Sequence, residues 1–126
     1  MHTAKKESKI QVVTALPRNM EVEFKNERIR KFCEDHSKLK RKYGNQAKKI
    51  ILNLNALCSA TSLFDISRLP QMRLHPLHGQ YQGCFSIDLF QPYRMIIRPL
   101  DGSPTELKTI TRVLLEEEYK DTHKYS

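Results

Sequence analysis

The spacing of apolar residues near the start of the chain predicts one strand followed by a helix. Met20, Val22 and Phe24 alternate with charged residues, which is the period-two pattern of a half-buried strand. From Asn26, a residue type suited to a helix N-cap, apolar residues recur at helical intervals. Gly44 is the type of residue that commonly ends a helix. We therefore expect one continuous helix between Asn26 and Gly44.

A second helix is expected directly after the first, with Asn45 as its N-cap. Its apolar stripe consists of Ala47, Ile50, Ile51, Leu54, Leu57 and Cys58. Because only Gly44 and Asn45 separate the two helices, they are expected to fold back on each other as an antiparallel hairpin.

After Pro70 the pattern returns to alternation, which predicts an antiparallel meander. The alternating apolar residues are Met72 and Leu74, then Phe85, Ile87 and Leu89, then Tyr93, Met95 and Ile97. Turn-forming residues lie at 91–92 and 101–104. Residues 107–115 are expected to form a last strand, and residues 116–126 a polar tail that is partly helical. This order predicts an α+β fold with the helical hairpin packed on one face of the sheet.

Length and composition favour a single folded domain. The chain has 126 residues, of which 39% are hydrophobic and 29% charged. Residues 1–19 are polar and basic around a short β-prone stretch, and we expect them to be an extension, either flexible or an added strand, before a domain at 20–126. No apolar run approaches the ~20 residues of a membrane span, and no secretory signal pattern is present. We therefore expect a cytoplasmic protein without a membrane association.

The net charge of +8 favours a polyanionic partner, because Lys and Arg gain affinity by displacing counterions from phosphates. Six cations of the expected hairpin lie on its solvent side: Lys38, Lys40, Arg41, Lys42, Lys48 and Lys49. They are interpreted either as a solvated helix face or as a surface that tracks phosphates. The three cysteines match no zinc or disulfide pattern and are expected to be free thiols, with Cys33 and Cys58 on apolar helix faces.

Histidines and arginines are concentrated in the second half of the chain, at Arg73, His75, His78 and Arg94. Cutting RNA without a metal requires a base for the 2′-hydroxyl, cations for the phosphorane and an acid for the leaving oxygen. Histidine and arginine suit these tasks. On the expected strands, Arg73 shares a face with His75, and Arg94 with Arg98.

Other interpretations of these residues are weaker. Histidines and arginines on a sheet are often exposed and without a role. His75, His78 and Cys84 offer three metal ligands, but their spacing is not a recurrent zinc pattern and no fourth ligand is evident. Cys84 lies beside Gly83 with no base or oxyanion motif in the sequence, which argues against a nucleophile. We expect neither a metal nor another cofactor.

The segments MRLHPLHG at 72–79, GCFSID at 83–88 and YRMII at 93–97 resemble the core signature of HigB toxins in the RelE/ParE superfamily. The resemblance covers about residues 20–123 and implies a RelE-like fold. It implies that His75 and Arg94 take part in cleavage and that His78 replaces the family's lysine. It also implies that Tyr119 stacks on a base or holds the phosphate, and that His123 supplies the histidine of the family's acidic-Tyr-His ending. Arg73, Arg98 and the six hairpin cations would bind RNA.

The resemblance implies the toxin of a type II toxin–antitoxin system, a ribosome-dependent endoribonuclease that cleaves translated mRNA. Its partners would be the 70S ribosome, mRNA and a HigA-like helix-turn-helix antitoxin. Two alternatives remain open: a ParE-like inhibitor of DNA gyrase on the same fold, and a degenerate member that acts as an antitoxin-bound, RNA-binding co-repressor. The presence of His75, Arg94 and Tyr119 favours the nuclease.

Overall fold

The computed structural model describes residues 19–125, which form an α+β fold with one mixed sheet. The strands are β1 (Glu21–Phe24), β2 (His75–Pro76), β3 (Phe85–Asp88), β4 (Tyr93–Pro99) and β5 (Arg112–Asp121). Their order in the sheet is β1-β5-β4-β3-β2. The expected antiparallel meander is confirmed from β2 to β5, and β1 adds to β5 in parallel. The expectations for residues 1–18 lie outside the described residues.

The expected single helix between Asn26 and Gly44 is wrong, because two helices occupy this segment. They are α1 (Glu27–Glu34) and α2 (His36–Tyr43). Asp35 separates them in an extended conformation, and its carboxylate accepts a hydrogen bond from Lys38 N at 3.1 Å. Asp35 is therefore the N-cap of a new helix. The expected caps at both outer ends are confirmed, since Asn26 accepts from Ile29 N and Gly44 has φ 56°.

Helix α3 (Gln46–Ser59) carries the expected apolar stripe, followed by the short α4 (Leu63–Ser67). The buried stripe residues are Ala47, Ile50, Leu54 and Leu57. Cys58 is exposed, so its expected place on the apolar face is wrong, whereas Cys33 is buried as expected. Asn45 precedes α3 but makes no capping hydrogen bond with its side chain.

Two strand predictions in the second half are corrected. Residues 70–72 form a 3₁₀ turn, and Arg73 has a left-handed backbone with φ 44°, so neither belongs to a strand. Strand β2 contains only His75 and Pro76. The last strand lies at Arg112–Asp121 instead of 107–115, so most of the expected polar tail is strand. The glutamates of β5 are compatible with a strand because cationic and hydroxyl groups outside β5 donate hydrogen bonds to their carboxylates.

The helices pack on one face of the sheet, as expected. Met95 and Ile97 of β4 belong to the apolar core that includes the helix stripe. Ile96 lies in a smaller buried cluster with Leu77 and Tyr81. Alternate residues of a strand point to opposite faces, so the second face of the sheet is only partly covered, by the segment around residues 77–84. Among residues 19–125, no helix has the length and apolar character needed to span a membrane.

Candidate active site

The strand register brings histidine, aspartate and arginine side chains to the face of the sheet away from the helices. Arg94 of β4 lies opposite Asp88 of β3, and His75 of β2 lies opposite Ser86. Paired residues of an antiparallel sheet point to the same side, and residues two apart on a strand share a face. One surface of the sheet therefore carries His75, Ser86, Asp88 and Arg94. We call these four residues, together with Arg73, the Asp88 site.

Two arginines converge on one carboxylate in the Asp88 site. Arg94 Nε lies 3.1 Å from Asp88 Oδ1, and Arg73 Nε lies 3.2 Å from Asp88 Oδ2. The side chains of Asp88 and Arg94 are 8% and 13% exposed, whereas that of Arg73 is 63% exposed. Arg94 Nη1 also donates to Ser86 Oγ at 3.4 Å. A buried arginine held by a buried carboxylate has little freedom to reorient, so its guanidinium is fixed before a ligand arrives.

The pair between Arg94 and Asp88 leaves hydrogen-bonding capacity unused. Arg94 Nε and Asp88 Oδ1 are close but poorly aligned, and both buried atoms lack a hydrogen-bond partner. Asp88 is held from other directions, because Gln91 Nε2 donates to its Oδ2 at 3.3 Å and Asn53 Nδ2 donates to its main-chain oxygen at 2.9 Å. Buried unsatisfied polar atoms are rare in folded proteins, so this pair is an exception in an otherwise satisfied sheet.

Sequence reasoning missed two members of this surface, Asp88 and Lys120. Lys120 of β5 lies opposite Arg94 in the register, which adds a third cation to this surface. A signal for Asp88 was present, since it is a charged residue in the otherwise apolar and serine-containing strand β3. Charged residues are almost never fully buried unless they are paired.

His75 and His78 are both exposed; His75 belongs to the edge strand β2, and His78 precedes the 3₁₀ turn Gly79–Tyr81. The main-chain N–H of His78 donates to Tyr125 O at 2.7 Å. His123 belongs to the C-terminal 3₁₀ turn His123–Tyr125, and its main-chain N–H donates to Asp121 Oδ1 at 3.1 Å. The structure therefore brings the segments that carry His78 and His123 together.

Tyr119 is not part of the Asp88 site. Its ring stacks on Tyr93 at a centroid distance of 4.2 Å and contacts Tyr43 at 4.5 Å. Tyr93 lies one residue before Arg94 on β4, so strand alternation directs this aromatic cluster away from the arginine. Tyr119 instead lines an open cleft of about 570 Å³. The other lining residues are Arg28, Lys42, Tyr43, Glu117 and Glu118.

Arg98 shares a sheet face with Arg94 by alternation, as expected, but it is engaged elsewhere. Arg98 Nε donates to the buried carboxylate of Glu116 at 2.6 Å, and Lys25 Nζ donates to the same carboxylate at 3.1 Å. Burial acts to raise the pKa of Glu116, but these hydrogen bonds outweigh it and lower the pKa. Arg98 is thus committed to a structural ion pair, which Lys25 just after the end of β1 also joins.

The hairpin cations lie on α2 and α3, apart from the Asp88 site. Lys40, Arg41, Lys42 and Lys48 are exposed, and Lys38 and Lys49 are half-buried. Lys42 Nζ lies 4.8 Å from the centroid of the Phe32 ring. These side chains therefore form a solvent-facing cationic surface, which we call the hairpin cations.

In the part of the chain that the structure describes, no group of three or more His, Cys, Asp or Glu side chains is placed to hold a metal ion. The sequence matches no family model. A comparison with curated proteins likewise finds no match.

Proposed function

We propose that this protein is the toxin of a type II toxin–antitoxin system, a ribosome-dependent endoribonuclease with a RelE-like fold that cleaves translated mRNA. The observation that carries the proposal is the convergence of Arg73 and Arg94 on Asp88, on the same sheet face as His75. The net charge of +8 and the hairpin cations support an RNA ligand. The order of strand, helices and meander supports the resemblance to the RelE and HigB toxins.

The Asp88 site offers the groups that cleavage of RNA requires. His75 accepts the proton of the 2′-hydroxyl, and the resulting oxygen attacks the adjacent phosphorus while the bond to the 5′-oxygen breaks. Arg94 and Arg73 hold the phosphate oxygens and stabilise the added negative charge. His78 acts as the general acid and protonates the leaving 5′-oxygen. The products are a 2′,3′-cyclic phosphate and a 5′-hydroxyl, and the protons balance across the two histidines.

Asp88 has a positioning role in this scheme. Its carboxylate is nearly buried and lies between the two arginines, so it orients them without neutralising both. Lys120, opposite Arg94, keeps the surface cationic. Tyr119 does not act in these steps, since its ring belongs to the aromatic cluster with Tyr93 and Tyr43.

Primer extension on a translated messenger tests the proposal. The wild-type protein should produce cuts at codons in the ribosomal A site and should arrest growth when it is expressed alone. Co-expression of a neighbouring helix-turn-helix protein should relieve the arrest. Arg94→Gln should lower the cleavage rate by about 100- to 1,000-fold, the typical loss for one preorganised charge.

Arg68→Gln is the matched control, because Arg68 is an exposed arginine at the end of α4 and contacts Phe64. Circular dichroism should show that both variants are folded. Undiminished A-site cuts in folded Arg94→Gln would contradict the assigned site. Absence of any cut by soluble wild-type protein, together with inhibition of DNA gyrase, would replace the nuclease with the ParE-like alternative.

A further inference from the structure

Phe90 is an exposed aromatic residue at the tip of the β3–β4 hairpin. Its exposed fraction is 52%, and only Leu52 is also exposed among the large hydrophobic residues that the structure describes. An isolated exposed apolar residue is common in folded proteins. Phe90 differs from such isolated residues because other residues hold its backbone in place, and because a cation lies against its ring.

Helix α3 fixes the backbone around Phe90 with side-chain hydrogen bonds. Gln46 Nε2 donates to Phe90 O at 3.0 Å, and Phe90 N donates to Gln46 Oε1 at 2.9 Å. Asn53, on the same helix, donates to the main-chain oxygen of Asp88 two residues earlier. The β-hairpin adds a bond from Tyr93 N to Phe90 O at 3.0 Å. The exposed ring is thus presented from a rigid backbone, which reduces the entropy lost when a ligand binds it.

The ring of Phe90 lies beside one of the hairpin cations, and its β-hairpin also carries Asp88 and Arg94. Lys49 Nζ lies 5.5 Å from the ring centroid, and Lys48 precedes it in the hairpin cations. On the other side, Phe90 follows Asp88 by two residues, and Arg94 lies on the paired strand. The tip that carries Phe90 therefore lies beside Lys49, at the end of the hairpin whose strands carry Asp88 and Arg94.

We propose that Phe90 stacks on an unpaired base of single-stranded RNA while Lys48 and Lys49 neutralise the adjacent phosphates. Aromatic rings beside cations bind single strands without strict sequence preference, because every base has a face that stacks. The inference rests on the proposed function in taking RNA as the ligand. It adds Phe90 as a binding residue outside the Asp88 site, and it proposes the path by which the RNA reaches that site.

The binding experiment uses a fluorescein-labelled RNA octamer without ribosomes, so that it is independent of cleavage. Phe90→Ala should weaken binding by about 10-fold, within the range found for loss of one stacked base. Phe90→Tyr should bind like the wild type, since it keeps a ring. Leu52→Ala removes an equally exposed apolar side chain from α3 and should leave the affinity unchanged.

Two further measurements test the geometry. Gln46→Ala keeps the ring but removes the hydrogen bonds that hold its backbone, and should give an intermediate loss of affinity. An octamer that contains 5-iodouridine should cross-link on irradiation to the peptide that contains Phe90. All variants should keep the wild-type circular dichroism, because the changed side chains are exposed or half-buried.

RNA affinity of folded Phe90→Ala within twofold of the wild type would overturn the inference. If that variant instead lost affinity for the cognate antitoxin, the ring would belong to a protein interface. The proposed function fails separately: a wild-type protein that shows Phe90-dependent RNA binding but no cleavage on ribosomes would keep the binding surface and lose the nuclease.

Discussion

Arg94 and Asp88 lie directly opposite each other on β4 and β3, and their side chains approach to 3.1 Å on the face of the sheet that the helices leave open. Both side chains are nearly buried, although Arg73, the second cation on this carboxylate, is mostly exposed. The pair therefore differs from a surface ion pair: one cation is fixed inside the sheet and the other reaches in from solvent.

Asp88→Asn should reduce cleavage by about 10- to 100-fold while the protein stays folded. The amide keeps the shape of the side chain but removes the charge that orients Arg94, which then remains buried without its partner charge. We expect a loss of about 1–3 kcal/mol in the free energy of unfolding, the usual penalty for a buried polar group that loses its partner. Single-turnover cleavage and urea denaturation measure the two effects.

Glu34→Gln is the control for Asp88→Asn, because Glu34 forms an exposed ion pair with Arg30 within α1. Exposed pairs contribute about 0–1 kcal/mol, so this variant should match the wild type in both assays. Cleavage by Asp88→Asn at the wild-type rate would contradict the positioning role of Asp88.

The hairpin cations should determine the salt dependence of ribosome binding. Replacing Lys40, Arg41 and Lys48 by Gln removes three exposed cations and should lower the slope of log affinity against log salt by about 2 to 3. Co-sedimentation with ribosomes over a series of KCl concentrations measures the slope. Lys31→Gln, at an exposed position of α1, is the single-charge control. An unchanged slope in the triple variant would reduce the hairpin cations to a solvated helix face.

The sequence predicts the fold well where hydrophobic periodicity controls structure. The strand with Val22 and Phe24, the stripe of α3 apart from Cys58, and the alternation in β4 appear as expected. Hydrophobic periodicity gives a wrong prediction where side-chain hydrogen bonds determine the backbone conformation. Asp35 interrupts a continuous helical pattern because its carboxylate caps α2. The spacing of apolar residues gives no information about that hydrogen bond.

In the candidate site too, periodicity predicts some positions correctly and misses those that depend on side-chain contacts. Strand alternation correctly placed Arg94 on a face away from the core. Arg73 reaches Asp88 from a left-handed backbone after a 3₁₀ turn, a conformation that no alternation pattern predicts. Lys120 joins the site because β5 continues to Asp121, past the glutamates that marked the expected end of the strand. The partners of those glutamates are distant in sequence, so burial of the strand could not be foreseen from its composition.

Glu118 should make the folded state less stable in acid. It is 2% exposed, and burial acts to raise its pKa, but hydrogen bonds from Arg28 and Tyr43 outweigh this and lower it. A carboxyl group whose pKa is lowered by folding stabilises the folded state above its unfolded pKa, near about 4.3. That contribution is lost as the pH falls from about 5 through the lower folded pKa.

Melting temperatures between pH 7 and pH 3 measure this dependence. The wild type should lose stability over the acidic part of the range, and Glu118→Gln should lose less because its amide does not titrate. At pH 7 we expect Glu118→Gln to be less stable by about 1–3 kcal/mol. Parallel curves for the two proteins would show that Glu118 does not control the acid transition. Glu27→Gln, with a largely exposed side chain, is the surface control.

Loss of either His75 or His78 should slow cleavage, and lysine in place of His78 should not restore the rate. His75→Ala should lower the cleavage rate by about 100-fold or more, the usual contribution of a general acid or base. If His78 also transfers a proton, His78→Ala should show a comparable loss and His78→Lys should not restore the rate near neutral pH. We expect this result, because the two exposed histidines supply the base and the acid of the proposed scheme. His36→Ala, an exposed histidine at the start of α2, should cleave normally.

A pH series of single-turnover rates separates proton transfer from charge. The wild-type rate should depend on pH with two limbs, one for each histidine, and each alanine variant should lose one limb. Recovery of full activity by His78→Lys, with the second limb absent, would show that position 78 supplies only a positive charge. Retention of both limbs in both alanine variants would remove the histidines from the reaction. In that case the arginines around Asp88 would act as a phosphate-binding site without acid–base catalysis.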